Sequence, residues 1–171
     1  MEASKVQEGG GGYIDVSRLT PAELMGCVAG IVLALSLFLP WFGTSDNPNS
    51  VLAGASGGES VSAFDVFGIL KWLLLAAAAA PFILSWIIAR GHKLTWKPGE
   101  VTMVVGTTAF VLVLCNGVIL GRPDDKATSS SIEISLEIGY LVALLAALAL
   151  AVSGYLRQSR YTAGRKPPGV I

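Results

Sequence analysis

Six side chains could do chemistry at or near an apolar layer: Asp65, Lys71, Asn116, Arg122, Glu133 and Glu137. Carboxylates, amines and an amide at one depth are the parts of a proton or ion relay. A charge inside hydrocarbon costs up to ~3 kcal/mol on insertion scales, so each one calls for an explanation. Lys71 lies 19 residues before Arg90, hence about 28 Å along a helix. Glu137 lies 20 residues before Arg157, about 30 Å, and Asn116 lies 15 residues after Val101, about 22 Å. The six therefore gather in one layer near one face of a membrane, and the opposite half reads as almost purely apolar.

Two accounts of that layer compete. One is a functional site, Lys71 with Glu137 backed by Asn116 and Arg122. The other is a set of snorkelling side chains with an ion pair that fixes register. Helix geometry favours the second. Glu137 is two residues from both Ser135 and Gly139, about 200° round a helix, and Lys71 is about 120° from Asp65. Neither charge shares a face with the residues it would have to work with.

Other chemistry finds little material. His92 stands alone in a polar loop with no second ligand. Cys27 and Cys115 belong to no CxxC and fall at opposite depths, too far apart for the ~6 Å Cα separation of a disulfide. Ser129 to Ser131 read as turn and capping residues rather than nucleophiles. No catalytic, metal or phosphate motif is present, so neither an enzyme nor a cofactor is expected. The formal net charge is zero, and no nucleic-acid partner is expected.

The elements that hold these residues are apolar spans. Hydrophobic residues make up 53% of the 171 and charged residues 14%, against roughly 25% in soluble domains. The mean hydropathy of +0.64 is beyond what so short a soluble chain could hide. Leu24 to Phe42 carries no charge over 19 residues, long enough at about 1.5 Å each for a hydrocarbon core of roughly 30 Å. Four spans are predicted, at about 22–42, 64–89, 100–120 and 134–156, forming an all-α integral membrane four-helix bundle. Residues 1–19, with glycines 9 to 12, read as a disordered tail whose mixed charges do not make a signal peptide. Residues 158–171 read as a basic, unstructured tail, and 43–62 as an exposed, mobile loop.

Local signals mark helix starts and packing faces. Thr20-Pro21-Ala22-Glu23 and Ser62-Ala63-Phe64-Asp65 have the form of capping boxes, with Pro21 at the first helical position. Ser130 to Glu133 could be a third. Ala22, Gly26, Gly30 and Ala34 fall four apart, and so do Ser135, Gly139, Ala143, Ala147 and Ala151. Each set forms a groove of small residues that lets another helix approach closely. Pro81, after five alanines, should kink the second span, either for packing or as a transporter hinge.

Basic residues set the topology. Lys5, Arg18, Arg90, Lys93, Lys97, Arg157, Arg160, Arg165 and Lys166 fall on one side, and Lys71, Arg122 and Lys126 on the other. Nine against three places both termini in the cytoplasm of a plasma-membrane protein. Trp41, Trp72, Trp86 and Trp96 all fall near span ends, as an aromatic belt requires.

Leu39-Pro40-Trp41-Phe42 closing the first span and Ser62-Ala63-Phe64-Asp65-Val66-Phe67 opening the second resemble a group of small four-span actinobacterial membrane proteins of unknown function. The resemblance covers roughly residues 20 to 157. It implies the four-span bundle and brings no activity. Quinone-linked disulfide-forming enzymes, claudins and small multidrug transporters fit poorly. The chain lacks the outward cysteine pairs of the first, the loop Trp and cysteines of the second and the span-one glutamate of the third. The expected role is a structural or accessory subunit that sits in the lipid bilayer and binds another membrane protein or a second copy of itself. The alternative is an oligomeric transporter or channel subunit entered through the polar layer.

Overall fold

Thr20 and Ser62 each start a helix as their boxes predict. The Glu23 carboxylate reaches back to accept from the Thr20 backbone N–H, and the Asp65 carboxylate does the same for Ser62. The computed structural model describes residues 19–47, 50–90, 97–120 and 134–163. Arg122, Glu133, His92, Trp96, Ser129 to Ser131 and most of both tails lie outside the described residues.

The elements run α1 (Pro21–Ser36), β1 (Pro40–Thr44), β2 (Val51–Leu52), β3 (Ala55–Ser56), β4 (Ser60–Ser62), α2 (Ala63–Val66), α3 (Leu70–Ala89), α4 (Pro98–Leu114), a π-helical turn (Cys115–Ile119), β5 (Ile134–Leu136) and α5 (Ile138–Ala163). The chain is mostly helical. Among the described residues, three helical stretches, Leu70–Ala89, Gly99–Ile119 and Ile138–Arg160, are long and apolar enough to cross a membrane. α1 has 16 residues, about 24 Å, and is shorter than the other three long helices. α5 packs on α1 and α4, and α3 closes the ring against the same two helices. The outward faces carry Leu24, Val28, Ile31, Ile83, Val104, Val111, Leu141 and Leu145, all exposed. An apolar surface of that extent is foreign to water-facing monomers.

Close approach between helices rests on glycine. A Cβ on Gly30 would lie 2.5 Å from the Ala78 carbonyl oxygen, and the Pro81 ring lies against Gly26 and Gly30. Pro81 thus fills a notch in α1, and α3 continues through it from Leu70 to Ala89. Between α4 and α5 the backbones touch at Gly106, beside Ala151, and at Gly154, beside Met103. Gly26, Gly30, Gly139, Ala143 and Ala147 are buried, and Ala34 is half-buried at the edge of the core.

The all-α expectation needs correction. β1 is the centre of a three-stranded antiparallel sheet, with β4 on one side and β5 on the other. Phe42 lies opposite Val61 and Leu136, and Gly43 opposite Ser60 and Ser135. A second hairpin, β2–β3, turns at Ala53 and Gly54, both with positive φ. The predicted first span therefore loses its last residues to a strand. The second begins at Leu70 behind the separate one-turn α2, and the fourth begins at Ile138 behind β5. Within the expected loop at 43–62, residues 43–44, 51–52, 55–56 and 60–62 are strand. The stretch from 158 to 163, expected within the basic tail, continues α5.

Trp41 explains why the strands form there. Pro40 lacks an N–H and bars the helical ladder, and three i→i−3 bonds tighten the turn after α1, from Leu37, Phe38 and Leu39. The Trp41 indole N–H donates to the Ser36 carbonyl at 2.7 Å and so satisfies the end of α1. Its ring is fully buried, edge-on to Phe67 at 5.8 Å and to Tyr140 at 5.7 Å. Its carbonyl accepts from Glu137 N at 2.9 Å. The Tyr140 hydroxyl in turn donates to the Val113 carbonyl. The Tyr140 ring occupies the space over Gly117, where a Cβ would come within 2.2 Å of it.

Trp41→Ala should cost about 3–5 kcal/mol, the usual penalty for emptying a large aromatic site. Trp41→Phe should cost less, with about 1 kcal/mol of it from the lost bond to Ser36. Thermal unfolding of both variants in one detergent measures the difference; equal midpoints for the two would contradict this account.

Candidate functional site

Of the predicted polar layer, Asp65, Lys71, Asn116 and Glu137 lie among the described residues, and each bonds close by in sequence. Lys71 Nζ donates to the Phe64 carbonyl at 2.8 Å and stands 5.2 Å over the Phe64 ring. It neutralises the end of α2 rather than facing a partner helix. Asp65 is exposed and accepts from both the hydroxyl and the backbone N–H of Ser62. Asn116 Nδ2 donates to the Leu112 carbonyl at 2.9 Å, one turn back, where the helix widens into its π turn. Glu137 is half-buried between β5 and α5, where Ser135 Oγ donates to it and Gly43 leaves it room. Lys71 and Glu137 form no ion pair. The helical-wheel angles drawn for these residues do not apply, because Asp65 sits on α2, Ser135 on β5 and Glu137 on neither.

The Ser62 hydroxyl, then its backbone N–H, and then the Lys71 charge hold the Asp65 carboxyl below its ordinary value of 3.8, against a small desolvation effect. A lowered folded value means that the cap contributes in full above pH 3.8 and loses that contribution as pH falls through the folded value. Amide exchange at residues 63–67 should accelerate at pH values below that point, and Asp65→Asn should abolish the pH dependence.

A polar site forms instead at the opposite end, where the sequence reads as almost purely apolar. Arg157 Nη1 on α5 pairs with Glu23 Oε1 on α1, while Glu23 Oε2 accepts from the Thr20 N–H. The Glu23 side chain is 6% exposed and that of Arg157 21%. Around the pair lies a narrow crevice of about 10 Å³ lined from all four long helices, with Gly26, Pro81, Ser85, Thr102, Ser153 and Gly154. Cys27 Sγ lies 3.4 Å from Ser85 Oγ, and Ser153 Oγ donates to the Leu150 carbonyl. Among the described residues, no cluster of three or more His, Cys, Asp or Glu is placed to hold a metal ion.

This pair was within reach of the sequence. Glu23 opens the first predicted span and Arg157 closes the last, so a four-span chain with both ends on one side brings them to one level. Reading Glu23 only as a cap and Arg157 only as a topology marker concealed the match. The ion pair also shows that α1 starts and α5 ends on the same side of the molecule.

The chain matches no family model, no curated protein and no solved structure. The site is therefore read on its own geometry. A carboxylate and a guanidinium, both largely buried and mutually neutralised, tie the first helix to the last. Removing one partner leaves an uncompensated charge. Glu23→Gln or Arg157→Met alone should each destabilise by about 3 kcal/mol, and the double variant should recover most of that loss. A double-mutant cycle on thermal unfolding checks this; additive losses would rule out the coupling.

Proposed function

We propose that this is a multi-pass plasma-membrane protein, with both termini cytoplasmic and four spans in a bundle, that serves as a structural or accessory subunit binding other membrane proteins. The short α1, extended by the tight turn after Ser36, serves as the fourth span. The nine-to-three division of basic residues supports the orientation. The two short motifs that resemble small four-span actinobacterial proteins of unknown function support the grouping. In this orientation the sheet lies outside the cell and the Glu23–Arg157 pair near the cytoplasmic face.

The observation that carries the accessory role is the internal use of polar groups. Lys71, Asp65 and Asn116 each bond to a residue close by in sequence, and the interior is filled by Leu33, Leu74, Val113, Ala147 and Leu150. What faces outward near the sheet is aromatic and fixed. Phe38 stacks on Phe64 at 4.6 Å, Phe64 meets Trp72 edge-on at 6.1 Å, and Phe38 and Trp72 are both more than half exposed. Rigid aromatic ridges of this kind contribute strongly to protein contacts.

One observation favours the second reading, an oligomeric transporter or channel subunit. The Glu23–Arg157 pair sits in a narrow crevice that also takes in Ser85, Thr102 and Ser153 and is shared by all four long helices. Solute flux in proteoliposomes, abolished by Glu23→Gln, would be its signature.

A photo-crosslinker placed at Trp72 in intact membranes should yield one discrete protein adduct, either a larger membrane protein or a second copy, and Phe38→Ala should reduce its yield several-fold. Recovery of the chain as a lone monomer in several mild detergents, with no adduct at Trp72, would overturn the accessory role.

A further inference from the structure

A second concavity lies on the bundle surface, away from the crevice. On the outer side of the α1–α5 seam is an open groove of about 320 Å³ lined by Met25, Val28, Ala29 and Val32 on one wall and Val142, Leu145, Ala146 and Ala149 on the other. Every lining residue is apolar. Ala29 and Ala146 are buried, whereas Val28 and Leu145 are exposed. The groove runs about two turns on each helix, roughly 10 Å of a hydrocarbon core of about 30 Å.

That length decides between occupants. A spanning helix of a partner would need a continuous face over the whole core. A flexible apolar chain needs only a short trough. Charge then selects the kind of chain. On α5, Leu145, Ala149, Val152, Leu156 and Arg160 lie within a sector of about 80°, at roughly 100° per residue. Val152 and Leu156 continue the apolar line beyond the groove, and exposed Arg160 ends it, about 16 Å past Ala149. Arg157, one turn earlier, is already committed to Glu23, so Arg160 is the cation left facing outward on this line.

We infer that the groove between α1 and α5 holds one acyl chain of an anionic phospholipid whose phosphate is met by Arg160. The inference rests on the membrane reading and is independent of the accessory role. A guanidinium suits a phosphate through paired N–H donors and a full charge. The short α1 leaves lipid beside it poorly matched, and a chain seated in the recess relieves that mismatch.

The test uses the full chain reconstituted in vesicles of equal phosphatidylcholine and phosphatidylglycerol, then released in mild detergent for native mass spectrometry. The wild type should retain phosphatidylglycerol in preference to phosphatidylcholine. Arg160→Gln should cut phosphatidylglycerol retention about fivefold and leave phosphatidylcholine unchanged, the effect of one cation near an anionic surface. Arg160→Lys should keep most of the preference. Val28→Trp, which fills the groove from its exposed rim without entering the core, should reduce retention of both lipids. Equal retention of the two lipids by the wild type, or unchanged retention in Val28→Trp, would overturn the inference. A photo-crosslinker at Val28 should yield lipid adducts, and a protein adduct there would assign the groove to a partner helix instead. Failure of the chain to float with vesicles would overturn the membrane reading as well.

Discussion

Trp41 holds the molecule together at its sheet end. Its indole closes α1 through the Ser36 carbonyl, and its own carbonyl takes the Glu137 N–H at the entry to α5. Its ring touches Phe67 ahead of α3 and Tyr140 on α5, and Tyr140 reaches Val113 on α4. α1, α4 and α5 are thus referred to one buried side chain within two steps, and α3 begins three residues after Phe67. The strands follow from it. Once Pro40 ends the helix and Trp41 turns inward, the next residues are extended, and their open backbone groups need partners, which Ser60–Ser62 and Ile134–Leu136 supply.

The opposite end is governed by a different force. There the contacts are the Glu23–Arg157 pair and the glycine surfaces of α1, α4 and α5. Lipid tails are as apolar as leucine, so helices in a bilayer gain little from apolar burial alone and associate through close packing and polar bonds. Gly106 against Ala151 and Gly154 against Met103 are of the first kind, and Arg157 against Glu23 is of the second. The chain therefore combines an aromatic core at one end with small-residue and ionic contacts at the other.

Much of this was legible in the residues. The capping boxes at Thr20 and Ser62 mark helix starts that the structure places at Pro21 and Ala63. The four-residue spacing of Gly26 and Gly30 marks the face that meets Pro81. The sheet was not legible, because Trp41-Phe42 and Ile134-Ser135-Leu136 are short stretches that adjoin the apolar spans without a break. Periodicity cannot separate a three-residue strand from the end of a buried helix. The close contacts of Gly106, Gly117 and Gly154 were not legible because these glycines do not fall on a four-residue repeat. Helical-wheel angles do not carry over to Glu137 and Asp65 for a related reason: Glu137 falls between β5 and α5, and Asp65 on the separate α2, rather than on the long helices.

The sheet also sets an order on how the protein is made. Its central strand leaves the ribosome early, yet the Gly43–Ser135 contact joins residues 92 apart. At roughly 5–20 residues per second, β1 waits about 5 to 20 s for β5 to be synthesised. During that interval the strand keeps one open edge and Trp41 lacks the Tyr140 face of its site. Every intervening helix must be inserted before the cap can close. A truncated or misinserted chain therefore exposes an unpaired aromatic strand, a mark by which a membrane quality-control protease could tell an unfinished molecule from a finished one.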